Sequence, residues 1–251
     1  MVFVTLLSLH SPHSWAFQDH GGKDVDIYRK FENYLMASIH RYHPESTVEF
    51  TAINFTDEDC EGFLKHNPNI VFNKLNEDFT KHSQEWYKGY LMHNRTLYIK
   101  KALKKHKKSI LYLDTDCMLR GKVDLIFQKL NGGFDFAVLL RPEQPAKTKV
   151  NAGIVGFSNT PKSLKLVDSW LDCIGKDFGK ILTKNIKGRN TAGDQRCLWE
   201  VYNRSSVRLF KLPVTYNDGL LDKKSIIWHG RSGNKIKALK SFTKDFEERH
   251  K

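Results

Sequence analysis

Apolar segments of strand length alternate with segments of helical periodicity along the first half of the chain. Residues 2–9 and 47–55 are rich in residues that favour strands. The segment between them, residues 25–42, has apolar side chains at the three- and four-residue spacing of a helix. A strand, a helix and a second strand in this order form a unit whose strands pair in parallel. The alternation therefore predicts an α/β sandwich with a mostly parallel sheet.

The second half continues this alternation with more β-structure, which predicts a small antiparallel element beside the main sheet. The remaining predicted strands are residues 69–75, 109–114, 134–140, 150–158, 206–212 and 225–229. The remaining predicted helices are residues 58–66, 84–106 with a break near Asn94, 123–130, 161–174, 194–203 and 235–250, and residues 175–193 are expected to form a basic loop. The length of 251 residues fits a single domain.

The chain carries a large positive charge, since 41 lysines and arginines against 28 acidic residues give a formal net charge of +13. Such a charge favours anionic partners, such as phosphate-bearing substrates, nucleic acid or an anionic membrane surface. Residues 100–108 hold much of the excess, and a solvated helix face is the simplest interpretation of that run. The sequence lacks the signatures of the common nucleic-acid-binding modules, so we expect no nucleic-acid partner.

The N-terminal segment and the cysteines bear on the compartment. Residues 1–9 are apolar, but they lack the basic residues and the cleavage site of a signal peptide and are too short to span a bilayer. The four cysteines show no CxxC spacing, which argues against a zinc site, and so few cysteines favour a reducing compartment. We therefore expect a cytoplasmic protein, with peripheral contact to an anionic membrane as a further expectation.

The predicted strand at residues 109–114 ends in the sequence Asp114-Thr115-Asp116. In open α/β sheets, ligands bind beyond the carboxyl ends of the strands, and carboxylates two residues apart in extended chain lie on the same side. Their mutual repulsion favours a bound cation, and hard oxygen ligands suit Mg²⁺ or Mn²⁺ with positions left open for substrate phosphates. A pair of solvated acids is the alternative, because Asp-x-Asp also occurs by chance.

The apolar strand, the Asp-x-Asp sequence and the apolar segment at residues 123–127 together resemble the GT-A nucleotide-sugar glycosyltransferases, and most of all the group of glycogenin and the bacterial lipopolysaccharide galactosyltransferases. Three further segments are similar to motifs of this family and occur in its order, namely Asn151-Ala152-Gly153, Asp194-Gln195, and His229-Gly230 with Lys235. The resemblance implies a Rossmann-like GT-A fold over residues 1–251. Residues 1–116 would form the nucleotide-binding half, residues 117–235 the acceptor and catalytic half, and residues 236–251 a basic tail helix.

The resemblance also implies a role for individual residues. Asp114, Asp116 and His229 would hold Mn²⁺ or Mg²⁺, and the imidazole slightly favours Mn²⁺. The residues expected to contact a nucleotide diphosphate sugar, UDP-linked in this interpretation, are Thr5, Leu6, Leu7, Lys100, Asp114, Thr115, Asp116, Asn151, Ala152, Gly153, Gly230 and Lys235. The first three enter this set only through their position at the end of the first strand. Arg95 and Arg231 are further candidates for contact with the phosphates.

Asp194 and Gln195 would face the transfer chemistry. In an inverting reaction Asp194 would act as general base on the acceptor hydroxyl, whereas in a retaining reaction the pair would hydrogen-bond the acceptor or the donor. An aspartate at the start of a helix is also a common N-cap residue, and the two roles can coexist. The predicted function is transfer of a sugar to a hydroxyl of a glycan, glycolipid or protein acceptor, with a divalent metal ion as cofactor.

Two other functions stay open at this point. The positive charge also fits a nucleic-acid-binding protein, whose affinity would fall steeply with salt. A sugar nucleotidyltransferase shares the α/β design and the metal-binding carboxylates. It needs a glycine-rich loop after the first strand, however, and residues 7–15 contain no glycine.

Overall fold

The computed structural model describes residues 1–11, 25–184, 193–230 and 235–250. The strands in these ranges are β1 (Val2–Ser8), β2 (Thr47–Ile53), β3 (Ile70–Leu75), β4 (Ile110–Leu113), β5 (Cys117–Leu119), β6 (Phe136–Leu140), β7 (Val150–Phe157), β8 (Leu209–Lys211) and β9 (Ile227–His229). The α-helices are α1 (Val25–Tyr42), α2 (Asp57–Leu64), α3 (Gln84–His106), α4 (Asp124–Asn131), α5 (Pro161–Lys184), α6 (Asp194–Asn203) and α7 (Lys235–His250).

Seven of these strands form one sheet in the order β3-β2-β1-β4-β7-β6-β8. Strands β3, β2, β1 and β4 are parallel, β7 runs antiparallel to both of its neighbours, and β6 pairs in parallel with β8. A second, antiparallel sheet joins β5 to β9 and sets Cys117 opposite His229. The predicted α/β class, with a mostly parallel sheet and a small antiparallel element, is therefore confirmed.

The central strands are buried by helices on both faces, which explains their apolar composition. Every residue of β4 and of β7 is buried, and strands covered on both sides read as continuous apolar runs rather than as alternating patterns. On one face Phe3 and Phe50 belong to a core that α1, α2 and α4 complete. On the other face Tyr112 and Trp170 belong to a core completed by α3, α5 and α6.

The C-terminal helix packs on α1 and on the small sheet through a third apolar cluster. Phe31 of α1, Trp228 of β9 and Phe242 of α7 meet there, and the ring of Phe242 contacts the other two rings at centroid distances of 5.2 and 5.8 Å. This cluster holds β9 and the first turn of α7 next to the segment that follows β4.

Two predicted boundaries were wrong, both because helices continue further than their local signals indicated. Helix α3 runs through Asn94 without a break, and the Asn94 side-chain amide donates to the carbonyl of Tyr90 one turn earlier at 3.0 Å. Helix α5 extends to Lys184, so residues 175–184 of the predicted loop are helical. The rest of that loop up to residue 192 lies outside the described residues.

None of the helices in the described part of the chain combines the length and the apolar composition needed to cross a membrane.

Candidate functional site

A cavity of about 520 Å³ opens at the carboxyl ends of β1 and β4. Most of the predicted site residues line it, although they come from distant parts of the chain. They are Leu6, Leu7, Asp114, Thr115, Asp116, Asn151, Ala152, Gly153, Asp194, Gln195, His229 and Lys235. The parallel strands bring the segments that follow β1 and β4 to one edge of the sheet, where ligands of open α/β sheets bind.

The backbone of the Asp-x-Asp segment is held from both sides. The amide of Asp114 donates to the carbonyl of Gly153 on β7 at 2.8 Å, and the carbonyl of Asp116 accepts from the amide of Gly230 after β9 at 2.7 Å. Within the turn itself, the amide of Cys117 donates to the carbonyl of Asp114 at 3.0 Å. The positions of the two aspartates are therefore set by the main sheet and the small sheet together.

Each of the two carboxylates has one oxygen bound to protein donors and one oxygen facing His229. Asp114 Oδ1 accepts from the hydroxyl of Tyr112 at 2.8 Å and lies 3.4 Å from Arg95 Nη1. Asp114 Oδ2 and Asp116 Oδ1 lie 3.7 and 3.4 Å from His229 Nε2. Asp116 Oδ2 accepts from Lys235 Nζ at 3.3 Å.

The tautomer of His229 follows from its other ring nitrogen. His229 Nδ1 lies 2.9 Å from the side-chain carbonyl oxygen of Asn217, a fully buried residue. An amide oxygen only accepts hydrogen bonds, so Nδ1 carries a proton, and in the neutral imidazole Nε2 then presents its lone pair to the two carboxylates. Three acceptor atoms thus converge, an arrangement that a cation stabilises.

Gly153 is required by this convergence. A Cβ atom at this position would lie 2.5 Å from Asp114 Oδ2 and closer still to the imidazole of His229. The backbone amide of Gly153 also donates to the side-chain oxygen of Asn151 at 3.0 Å, which fixes the backbone at this position. The glycine of the Asn151-Ala152-Gly153 segment therefore leaves the space in which the carboxylate and the imidazole meet.

Burial and neighbouring charges shift the pKa values of three groups at this site, Asp116, Lys235 and Tyr112. Burial alone would raise the pKa of Asp116, but the ammonium of Lys235, 3.3 Å from one carboxylate oxygen, holds this pKa well below the ordinary value. Burial would lower the pKa of Lys235, and the neighbouring Asp116 carboxylate reverses the direction and raises it. Burial and the charge of Asp114 raise the pKa of Tyr112 well above its ordinary value, so its hydroxyl stays protonated and donates to Asp114.

Arg95 connects the Asp-x-Asp segment to helix α6. Its guanidinium lies 3.4 Å from Asp114 Oδ1 and forms a close ion pair with the carboxylate of Asp194. The rings of Tyr112 and Trp170 flank it, with 5.2 and 5.5 Å from the guanidinium carbon to the ring centroids. This residue was only a secondary candidate in the sequence, yet it lines the cavity and contacts both predicted acidic sites.

Asp194 and Gln195 begin helix α6 at the cavity wall. The N-cap residue is Gly193, so Asp194 occupies the first position inside the helix. The N-cap interpretation of Asp194 is therefore wrong, because its carboxylate is directed to Arg95. Gln195 Oε1 accepts from Arg141 Nη2 at 3.1 Å, and the carbonyl of Asp194 accepts from the indole of Trp170 at 2.9 Å.

Three of the predicted donor contacts do not line this cavity. Lys100 is five residues from Arg95, about 140° around the helix, and its Nζ pairs with Asp168 of α5 at 2.7 Å. Thr5 is buried on the face of β1 opposite to the neighbouring Leu6, because side chains alternate along a strand. Gly230 contributes a backbone bond to Asp116 instead. Arg231 lies outside the described residues.

Asn217, Tyr112 and Arg141 were missed in the sequence. Tyr112 had a usable signal, because it precedes Asp114 by two residues and therefore shares its side of the strand. Asn217 and Arg141 had none, since their partners His229 and Gln195 are 12 and 54 residues away.

No protein-family model matches the sequence, and no curated protein matches it. Solved structures match over nearly the whole chain. The galactosyltransferase LgtC, in complex with donor and acceptor sugar analogs, has a TM-score of 0.57 at 14% identity, covering 99% of this chain and 96% of its own. Mouse xyloside xylosyltransferase 1 has a TM-score of 0.56 at 11% identity, covering 92% of this chain and 98% of its own.

The glycosyltransferase GlyE of Streptococcus pneumoniae has a TM-score of 0.58 at 12% identity, and the match covers 98% of this chain. The chain spans only 62% of the length of that protein. Identities this low carry information about the fold alone. The chain has the α/β fold of the GT-A glycosyltransferases.

Proposed function

We propose that this protein is a glycosyltransferase that moves a sugar from a nucleotide diphosphate donor to a hydroxyl acceptor and depends on a divalent cation. One observation carries the proposal. His229 Nε2 lies 3.7 Å from one oxygen of Asp114 and 3.4 Å from one oxygen of Asp116 at the carboxyl edge of a GT-A sheet. The other glycosyltransferase motifs line the same cavity.

The residues fit a divalent cation. Ligands about 2.1 Å from an octahedral ion lie about 3 Å apart when adjacent, and the distances of 3.4 and 3.7 Å from His229 Nε2 to the two carboxylates are close to this value. A set of two carboxylates and one imidazole suits Mn²⁺ well and Mg²⁺ less well. When bound, the cation would offset negative charge on the donor diphosphate and the leaving nucleoside diphosphate.

The surroundings of the cluster suit a nucleotide diphosphate. Lys235 is anchored by Asp116 at 3.3 Å, and its ammonium lies 4.2 Å from the ring centroid of Tyr28. A cation held there at the cavity can bind phosphate oxygens. Leu6 and Leu7 line the wall at the end of β1, where an apolar surface suits the flat face of a base. A UDP-linked donor remains the first choice by analogy with the family.

Asp194 and Gln195 lie on another wall of the cavity, each already oriented by an arginine. Arg95 binds the Asp194 carboxylate and Arg141 binds the Gln195 amide oxygen. Side chains fixed in this way can hold sugar hydroxyls in one orientation, which is the main requirement of a transfer between two bound sugars. The acceptor in this proposal is a glycan, a glycolipid or a protein hydroxyl.

A ligand screen tests the proposal without assuming a sugar. We expect the full chain with Mn²⁺ and UDP to unfold at a temperature about 5–10 °C higher than with either alone, at ligand near 100 times Kd. A chelator should abolish the shift. Asp116→Asn should lose it, and the exposed Asp172→Asn, outside the cavity, should keep it. A shift that survives chelation and Asp116→Asn would refute the cation site.

Donor hydrolysis then tests the reaction class. A panel of nucleotide diphosphate sugars with Mn²⁺ should show slow release of the nucleoside diphosphate from at least one donor. Hydrolysis should stop with the chelator and fall by about 10²–10³-fold in Asp116→Asn. If no donor is hydrolysed while salt-sensitive binding to RNA or DNA is strong, the nucleic-acid alternative would replace the proposal.

The outer face of α7 supports peripheral contact with an anionic membrane. Lys237, Lys240 and Lys244 are exposed, while Ala238 and Phe242 of the same helix are buried. Basic side chains near an anionic surface contribute about 1 kcal/mol each. Pelleting with anionic vesicles should exceed pelleting with neutral vesicles, and replacing the three lysines with glutamine should remove the difference. Equal pelleting would exclude this contact. The cytoplasmic location stays a prediction.

A further inference from the structure

Two cysteines meet where helices α5 and α6 pack together. Cys173 lies in α5 and Cys197 in the first turn of α6, and their Sγ atoms are 2.6 Å apart although the residues are 24 positions apart in the chain. This separation is shorter than the usual distance between unbonded sulfur atoms, and it is near the length of a covalent sulfur–sulfur bond, about 2.05 Å. The other two cysteines, Cys60 and Cys117, belong to the core on the opposite face of the sheet.

A metal ion is a poorer explanation for this pair. Asp177 Oδ2 lies 3.3 Å from Cys197 Sγ, so the two thiols and this carboxylate form a compact group. Two thiolates bound to one tetrahedral zinc ion at about 2.3 Å would lie about 3.8 Å apart, well beyond the 2.6 Å between these two sulfurs. Asp177 is also already paired with the guanidinium of Arg196 at 2.6 Å.

We propose that Cys173 and Cys197 form a disulfide that ties helix α6 to helix α5. The reaction needs an oxidant, and a small disulfide such as oxidised glutathione is sufficient. A Cys173 thiolate attacks one sulfur of that disulfide and releases one glutathione thiol, which leaves a mixed disulfide on Cys173. The Cys197 thiolate then attacks the Cys173 sulfur and releases the second glutathione. Two protein thiols are oxidised and one small disulfide is reduced to two thiols.

The surroundings favour this order of attack. Cys173 is partly exposed at the wall of a second cavity of about 710 Å³, whereas Cys197 is fully buried. Burial, the neighbouring Cys173 thiol and Asp177 raise the pKa of Cys197 well above its ordinary value. The exposed thiol therefore meets the small disulfide first. The buried thiol needs to reach only the neighbouring sulfur.

The bond would reinforce the wall of the cavity that Asp194 and Gln195 line. Cys197 follows Gln195 by two residues in the first turn of α6. Trp170, one turn before Cys173 in α5, already donates to the carbonyl of Asp194 at 2.9 Å. A disulfide beside this hydrogen bond holds the start of α6 in place. A closed loop of this length should raise the unfolding temperature by about 5–10 °C. The proposal does not depend on the reaction that the cavity carries out.

Peptide mapping of the wild-type chain tests the proposal directly. The protein is equilibrated in buffers of reduced and oxidised glutathione, denatured with an alkylating agent and digested with trypsin. We expect the peptide of residues 166–176 to be linked to that of residues 197–204, about 2 Da lighter than the sum of the two reduced peptides. The oxidised protein should unfold at the higher temperature given above. Addition of dithiothreitol should reverse both results.

Matched variants separate this bond from other thiol chemistry. Cys173→Ala and Cys197→Ala should abolish both the link and the redox-dependent rise in unfolding temperature, while Cys60→Ala should retain both. Complete alkylation of Cys173 and Cys197 after equilibration with oxidised glutathione would overturn the proposal. Links that involve Cys60 or Cys117 instead would also overturn it. A stable bond would contradict the reducing compartment expected from the small number of cysteines.

Discussion

Two groups of charged residues, each built around a buried aspartate, lie at opposite ends of the small sheet, and they use their hydrogen-bonding capacity differently. The cavity cluster consists of Asp114, Asp116, His229 and Lys235. The C-terminal clamp consists of Arg120, Asp245 and Arg249. In both groups cations hold the pKa of a buried aspartate, Asp116 or Asp245, below its ordinary value against the effect of burial.

The C-terminal clamp is closed. Arg120 donates to both oxygens of Asp245 at 2.9 and 2.8 Å and to the carbonyl of Ser225 at 3.2 Å, and its guanidinium carbon lies 4.2 Å from the ring centroid of Trp228. Arg249 Nε approaches the same carboxylate at 2.9 Å. A network in which the charges satisfy one another fastens α7 to the small sheet.

The cavity cluster is open, because one oxygen of each aspartate faces Nε2 of His229, while Nδ1 of the same ring already donates to Asn217. Such a cluster contributes less to stability but retains capacity for a ligand. The difference suggests a general criterion. A buried ion pair with all acceptors satisfied is structural, and one with converging free acceptors is a candidate binding site.

The largest expected effect follows removal of the clamp's acid. Asp245→Ala leaves Arg120, whose side chain is only 3% exposed, without its counter-ion, and such a loss costs about 3–5 kcal/mol of unfolding free energy. Urea unfolding measures it. The exposed Glu248→Ala on the same helix should stay within about 0.5 kcal/mol of wild type. If both variants unfold at the wild-type midpoint, the clamp is not structural.

Asp116→Asn should show the opposite pattern. We expect donor hydrolysis to fall by about 10²–10³-fold, because electrostatic groups of this kind contribute that much to catalysis. The unfolding free energy without metal should fall by less than in Asp245→Ala, because the asparagine keeps a side-chain oxygen that can accept from Lys235. Steady-state kinetics and urea unfolding of the same preparation measure the two quantities. A large loss of stability with full activity would erase the contrast between the two clusters.

Asn217→Ala tests the residue that orients His229. Groups that hold a metal-binding histidine in place typically affect metal affinity by about 10–100-fold. Titration calorimetry with Mn²⁺ on the folded variant should show a loss in this range. Asn203→Ala at an exposed position of α6 serves as the control. Unchanged Mn²⁺ affinity in Asn217→Ala would show that the imidazole does not depend on this bond.

Gly153→Ala and Gly62→Ala form a matched pair. The added methyl group at position 153 would press on Asp114 and His229, whereas nothing lies within 4 Å of one at position 62. Overpacking should cost about 1–3 kcal/mol at position 153. The same change in helix α2 should stabilise by up to about 1 kcal/mol. Thermal unfolding compares them, and equal effects would contradict the close approach inferred at Gly153.

The smallest expected effect is on how the unfolding free energy decreases at acidic pH. Burial would raise the pKa of Asp245, but Arg120 and Arg249 hold it below the ordinary value. The unfolded chain, with a pKa near 3.9, therefore binds this proton first as the pH falls. The stabilising contribution is present above about pH 4 and is lost below it. Asp245→Asn should lose less stability than wild type between about pH 4 and 2, as measured by urea unfolding. A parallel decline would contradict this linkage.

Much of the site was predictable because its signals are local. Asp114 and Asp116 follow a buried strand, and Asn151-Ala152-Gly153 lies on another buried strand, so strand-end position and short motifs were enough to select them. The prediction that Lys100 contacts the donor was wrong. The apolar pattern of α3 is weak and does not show which side of the helix faces the cavity, and Lys100 lies on the side that faces Asp168. Arg95 lines the cavity instead, because it lies on the side of α3 that contacts Trp170 and Asp114.

The sequence by itself determined the order of strands and helices apart from the short strand β5, the class of the sheet and the acidic pair at the end of β4, because these depend on patterns within a few residues. Only the tertiary structure decided that Asn217 sets the tautomer of His229 and that Cys173 meets Cys197. Such contacts join segments far apart in the chain. Their geometry follows from how whole helices and sheets pack, and local composition carries no record of it.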